Sequence, residues 1–144
     1  EMYKACHQYF PEVTIAVLSA AVADYKPKKV ATEKIKKKDT TLEIELAPTK
    51  DILASLGAIK QQQYLVGFAL ETNNELENAK GKLKAKNLNL IVLNSLNDKG
   101  AGFKTETNKV TFIDDKENVH EFQLKSKADV AADLMNEIIK QINA

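Results

Sequence analysis

The sequence predicts an α/β fold in three layers, with a mostly parallel central sheet, a basic flap loop and a C-terminal β-hairpin followed by a helix. Three observations predict it. Short runs at residues 13–19, 64–69 and 89–93 are almost continuously β-branched or aliphatic, the pattern of strands covered on both faces. Segments with helical periodicity separate them, so the chain alternates strand and helix and calls for right-handed crossovers. Beyond residue 108 that rhythm gives way to alternating residues around a polar turn.

Taken in order, residues 1–10 read as the tail of an amphipathic helix that begins without a cap, as expected of a domain truncated at its N-terminus. The first apolar run is followed by a lysine-rich loop, an alternating strand at residues 42–46 and a helix over residues 49–60. The second run leads into a helix over residues 74–86, and the third run follows it. Residues 109–113 and 119–124 flank the turn Asp114-Asp115-Lys116-Glu117-Asn118, which reads as a hairpin with a long loop. Ser126 caps a last helix with Asp129 three residues on, and Val130, Leu134 and Ile138 recur every four residues along one face. No repeat or Pro/Gly-rich linker divides the chain, so residues 1–144 form one domain, Rossmann-like in its alternation.

Composition narrows the function. With 44% hydrophobic residues in 144, a core needs no covalent staple. Cys6 is the single cysteine, so no internal disulfide forms and a reducing, cytoplasmic setting is expected. No apolar run reaches the length of a membrane span. The formal charge of +1 argues against a globally basic nucleic-acid binder, yet residues 26–38 hold seven lysines against Glu33 and no other acid. All 21 basic residues are lysine, so a phosphate would be met by point charges, main-chain amides or metal rather than by a guanidinium fork.

In open α/β sheets ligands gather at the carboxyl ends of the strands. Ser19-Ala20-Ala21-Val22-Ala23-Asp24-Tyr25 follows the first run: small residues admit a ligand close to the backbone, and a lone carboxylate suits a ribose hydroxyl or Mg²⁺. The same stretch also fits an ordinary packing turn. Gly67-Phe68-Ala69-Leu70-Glu71-Thr72 ends the second run, where Phe68 fits either a base or the core. Asn94-Ser95-Leu96-Asn97 ends the third, as ligand-reading amides or an Asx-turn. Lys26-Pro27-Lys28-Lys29 and Lys34-Ile35-Lys36-Lys37-Lys38 form either a solvated loop or a flap that closes a lysine over phosphate charge. Lys80 with Lys84, and Lys82 with Lys86, place like charges four apart, a repulsion that a helix C-terminus or an anionic ligand would relieve. Asp51 suits a helix start as well as a hydroxyl contact.

The order of these segments resembles one family over nearly the whole chain. Ala20-Ala21-Val22-Ala23-Asp24-Tyr25, Glu33-Lys34-Ile35-Lys36-Lys37, Asp51-Ile52-Leu53, Val66-Gly67-Phe68-Ala69-Leu70-Glu71-Thr72, the Lys82 and Lys86 pair, and Gly102-Phe103 with Asn108 are similar to the successive signatures of phosphopantothenoylcysteine synthetases. The resemblance implies a ligase of coenzyme A biosynthesis that activates 4'-phosphopantothenate with a nucleoside triphosphate, CTP or ATP, and then joins it to cysteine. It implies Lys34 as the catalytic loop lysine, and Asp24, Lys34, Lys50, Asp51, Ile52, Leu53, Phe68, Lys82 and Lys86 around the nucleotide. Ala20 and Ala21 would line the phosphopantothenate side, and Asp24 would meet Mg²⁺. It further implies a homodimer, a possible fused decarboxylase domain, and FMN only where that domain is present.

The pattern departs from the family in places. Thr49-Lys50-Asp51-Ile52 stands where the family has Asn-Pro-Asp-Ile, and Glu106 where it carries aspartate. A glycine-rich phosphate turn and an asparagine that acts on the acyl intermediate belong to the family's N-terminal portion and have no counterpart here. The rival reading is a non-catalytic module gripping a nucleotide or polyanion through the lysine loop. Tyr25 is the only aromatic beside those lysines, which gives base stacking little support. No dinucleotide-type glycine fingerprint follows a strand, which disfavours a dehydrogenase.

Overall fold

The computed structural model describes residues 1–36, 41–95 and 105–143. Helix α1 (Met2–Tyr9) and a 3-10 turn (Phe10–Glu12) lead into strand β1 (Ile15–Leu18). A ribbon of β2 (Tyr25–Pro27) and β3 (Leu46–Pro48) precedes α2 (Ile52–Ile59), β4 (Tyr64–Glu71), α3 (Glu75–Ala85) and β5 (Leu90–Ser95). The remaining elements are β6 (Thr107–Asn108), β7 (Val110–Asp114), β8 (Val119–Glu121), β9 (Lys125–Ser126) and α4 (Lys127–Ile142). The main sheet runs β1-β4-β5-β7-β8, its first three strands parallel and its last two antiparallel.

Alternation along the central strands divides the core. Leu65, Ala69, Ile91 and Leu93 face one side, where they pack with Ile52 and Leu56 of α2 and Ala79 and Leu83 of α3. Val66, Leu90 and Val92 face the other and meet Val130, Leu134 and Ile138, the predicted stripe of α4. Each buried valine, leucine or isoleucine contributes roughly 1.5–3 kcal/mol, and together they give the expected three layers. Ser126 Oγ accepts from the Asp129 amide at 3.0 Å and donates to its carboxylate, capping α4 as predicted.

One expected strand is shortened and one is corrected. The run at residues 13–19 forms the shorter strand Ile15–Leu18, with Ile15 packed on one core cluster and Ala16 and Leu18 on the other; among the described residues it pairs only with β4, and Val17 is 41% exposed. The strand expected at residues 42–46 begins only at Leu46. Leu42 and Ile44 remain 66% and 60% exposed, because the ribbon leaves the sheet and offers them no face to pack on.

Candidate functional site at the carboxyl ends of the strands

The chain leaves β1 at Ser19 and passes through Ala20, Ala21 and Asp24, all exposed, into the ribbon. Tyr25 pairs with Pro48, Lys26 with Ala47 and Pro27 with Leu46. The latch beneath this ribbon matters for the site. The Thr49 amide donates to the Asp24 carbonyl at 2.8 Å, and Thr49 Oγ1 donates to the Ala23 carbonyl at 2.6 Å. Asp24 is thereby held beside the turn that starts α2.

Asp51 is the N-cap of α2, its carboxylate accepting from the Ala54 amide at 2.9 Å. Lys86 Nζ lies 2.9 Å from Asp51 Oδ2. Burial pushes the Asp51 carboxyl up, but the Ala54 amide, the Lys86 ammonium and the Leu53 amide outweigh it and hold its pKa below the ordinary value. Lys50 points the other way, its ammonium 4.5 Å above the Tyr3 ring of α1. Ile52 is buried and Leu53 packs over Gly67, so both side chains serve the core and leave only their backbone to a ligand.

On α3, Lys82 donates to Glu71 at 2.6 Å, and Asn78 donates to the other oxygen of the same carboxylate at 3.3 Å. Lys80 and Lys84 both pair with Glu117 on the turn between β7 and β8. Lys84 first, then Lys80, holds the Glu117 carboxyl below its ordinary pKa. The repulsion implied by lysines four apart is thus relieved inside the chain, by Glu71, Asp51 and Glu117. An anionic ligand is not needed to account for it.

The predicted residues fall into groups. Asp24, Asp51 and Lys86 are joined by the ribbon latch and the ion pair, and Lys82 reaches Glu71 at the end of the neighbouring strand. Phe68 lies on the opposite face of the sheet, in a cavity of about 520 Å³ that it shares with Ser19, Asn94, Asn108 and Lys127 at its polar end. Asn108 donates to Asn94 there at 2.9 Å. Lys34 is exposed on the loop beyond the ribbon, and no contact among the described residues brings it to either group. Lys37, Lys38, Leu96, Asn97, Gly102 and Phe103 lie outside the described residues.

The role of Glu71 and the wall supplied by α4 were missed in the sequence. Glu71 stands at the end of a strand run and within a family signature, but neither names its partner Lys82, eleven residues away. For a magnesium ion, no group of three or more His, Cys, Asp or Glu stands together among the described residues. Asp24 is a single exposed carboxylate, a donor set compatible with an ion that keeps several waters and takes its other ligands from phosphates. Among the described residues, no helix is long and apolar enough to cross a membrane.

Comparison with known proteins places this arrangement. Residues 1–142 match the family model described as DNA/pantothenate metabolism flavoprotein C-terminal domain. A cysteine/cysteine sulfinic acid decarboxylase from an unknown prokaryotic organism is 50% identical over 99% of this chain and 40% of its own length. The coenzyme A biosynthesis bifunctional protein CoaBC of Bacillus subtilis is 42% identical over 96% of this chain and 34% of its own length. The chain therefore spans well under half of these relatives. A crystal structure of the C-terminal domain of a CoaBC protein superimposes with a TM-score of 0.78 at 38% identity, covering 99% of this chain and 63% of that one. The mixed sheet, parallel at its centre, and the helices that flank it are thus shared with a solved relative. The chain belongs to the family of DNA/pantothenate metabolism flavoprotein C-terminal domains.

Proposed function

We propose that this chain forms much of the active site of a phosphopantothenate–cysteine ligase. The observation that carries the reading is the line of contacts from Asp24 through Thr49 to Asp51 and Lys86, with Lys82 alongside, at the carboxyl edge of the sheet. A nucleotide laid across that edge reaches Phe68 on one face of the sheet and the α3 lysines on the other. Its triphosphate competes with Asp51 and Glu71 for two ammonium groups already held near the edge.

In the first step a carboxylate oxygen of 4'-phosphopantothenate attacks the α-phosphorus of CTP or ATP. A P–O bond forms, the bond to the β-phosphate breaks, and pyrophosphate leaves with the electron pair. In the second step the amine of cysteine attacks the acyl carbon, the C–N bond forms, the amine loses a proton to water, and the acyl C–O bond breaks as the nucleoside monophosphate leaves with the electron pair. Two anions must approach in the first step, so lysine charge placed beforehand is where this chain lowers the barrier. Lys34 supplies such charge from the loop, and Asp24 would hold Mg²⁺, which neutralises phosphate oxygens. Ala20 and Ala21, without bulky side chains, leave room for the pantothenate arm.

Activity is assigned to a homodimer. Val30, Ile35, Leu42 and Ile44 of the ribbon loop are 60–84% exposed and line one groove, which a second copy would cover. A fused decarboxylase domain, with its FMN, and a cytoplasmic location belong to the same proposal, by likeness to the bifunctional relatives.

The test joins this chain to the remainder of the solved CoaBC C-terminal domain and measures pyrophosphate release with phosphopantothenate, with and without cysteine. Release from CTP or ATP supports the ligase; release from neither refutes it. If the chain instead binds RNA with a steep, sequence-independent loss of affinity as salt rises, the polyanion reading takes its place.

A further inference from the structure

Lys86 poses a geometric problem for the ligase reading. Helix α3 begins near the carboxyl edge, just after β4, and runs away from it, so its C-cap Lys86 sits about 16 Å down the helix from Glu75. Its ammonium nevertheless meets Asp51 at the opposite, edge-side end of α2. The Lys86 main chain lies against Gly57, near the far end of α2: a Cβ placed on Gly57 would stand 1.9 Å from the Lys86 carbonyl oxygen. Asp51 and Gly57 are six residues apart, about 9 Å of helix rise, which the extended lysine side chain, the 2.9 Å ion-pair contact and the Asp51 side chain must bridge together. So long a reach leaves little slack.

The next residue fixes the backbone at that point. Asn87 adopts a left-handed conformation with φ of 51°, which asparagine tolerates better than most residues. Its side-chain amide donates to the Gly57 carbonyl at 2.9 Å. Its main-chain amide closes on the Lys84 carbonyl at 3.1 Å, ending the helix.

We infer that Gly57 and Asn87 are positioning residues that clamp the Lys86 backbone onto α2, so that its ammonium is delivered to Asp51 at the carboxyl edge. This rests on the reading of Lys86 as a nucleotide ligand, and it deepens that reading by naming what places the lysine. The bare glycine surface allows contact between the two backbones, and the Asn87 amide bond locks it.

Asn87→Gly tests the clamp, because it keeps the left-handed backbone and deletes only the side-chain bond. Carbon-13 NMR titration of the Asp51 carboxyl in this chain is the first readout. In Lys86→Gln the Asp51 pKa rises; in Asn87→Gly it should rise by at least half as much, and the double variant should match Lys86→Gln. The second readout is the affinity for MgCTP and MgATP of the domain-length protein used for the ligase assay. Lys86→Gln should weaken nucleotide binding about tenfold, Asn87→Gly by a smaller factor, and the double variant no further than Lys86→Gln. An Asp51 titration unchanged in Asn87→Gly overturns the clamp, and so do losses that multiply in the double variant, since Asn87 would then act independently of Lys86. If no nucleotide binds to any form, the nucleotide reading fails while the Asp51 titration still judges the clamp.

Discussion

Replacing Gly57 and Gly81 separately by alanine should move stability in opposite directions, although both glycines lie inside helices. At Gly57 the new methyl would sit 1.9 Å from the Lys86 carbonyl oxygen and 2.8 Å from its carbon. Ordinary contact begins at 3.4 Å, about 1.5 Å farther than the carbonyl oxygen stands, and both partners are backbone rather than flexible side chain. Forcing one methyl into a closed contact costs about 1–3 kcal/mol. Parting the helices also breaks the Asn87 bond to the Gly57 carbonyl, a loss of about 1 kcal/mol. Alanine returns about 1 kcal/mol of helix propensity, which leaves a net loss of about 2 kcal/mol. At Gly81 nothing lies within 4 Å of the added methyl. There only the propensity remains, a gain of about 1 kcal/mol. Urea and thermal unfolding followed by circular dichroism measure both, with a Tm shift of about 3 °C per kcal/mol for a chain of this size. A Gly57→Ala variant within 0.5 kcal/mol of the parent would refute the close approach of α2 to Lys86 on which the clamp depends. A destabilised Gly81→Ala variant would show that the exposed face of α3 is not open.

Other substitutions probe separate links. Asp51 has a folded pKa below its ordinary 3.8, so its contribution is present above that pH and is lost as pH falls through the folded value. Asp51→Asn should therefore lower the urea midpoint at pH 7, by less than about 1 kcal/mol because the group is half exposed, and the difference should shrink below pH 4; a penalty independent of pH would contradict the Lys86 pairing. Asn89 Oδ1 accepts from both the buried Leu65 amide at 2.9 Å and Lys60 Nζ at 3.0 Å. Asn89→Ala strands that amide between β4 and β5 and should cost about 1–3 kcal/mol in chemical denaturation, and a neutral result would mean that another acceptor replaces it. Lys34→Gln should slow formation of the acyl-nucleotidylate far more than it weakens nucleotide binding; unchanged single-turnover rates would remove Lys34 from its assigned role.

What could be read from the sequence was what is local in it. The Ser126 cap and the stripe Val130, Leu134, Ile138 repeat at helical spacing, and both stand in the structure as expected. The runs that became β4 and β5 were legible because central parallel strands are apolar on both faces. The run that became β1 was legible for the same reason, with Ile15 on one core cluster and Ala16 and Leu18 on the other. Leu42 and Ile44 alternate like a strand yet pair with no strand among the described residues, because the β2–β3 ladder ends at Lys28 and Glu45, partners distant in sequence. The partners of the α3 lysines were hidden for the same reason. Glu117 lies on another turn and Asp51 on another helix, so the spacing showed the repulsion without showing its relief. Phe68 was recognised as a candidate, but the wall that α4 builds opposite it depends on how the C-terminal helix returns across the sheet.

The ligase mechanism is tested most directly by following oxygen from the substrate carboxylate. Phosphopantothenate labelled with oxygen-18 in that carboxylate is incubated with nucleoside triphosphate, Mg²⁺, cysteine and the domain-length protein, and the products are weighed by mass spectrometry. Attack on the α-phosphorus followed by amide formation transfers one labelled oxygen to the nucleoside monophosphate and none to pyrophosphate. Label in an inorganic phosphate product, or release of carbon dioxide from cysteine without any nucleoside monophosphate, would contradict the mechanism.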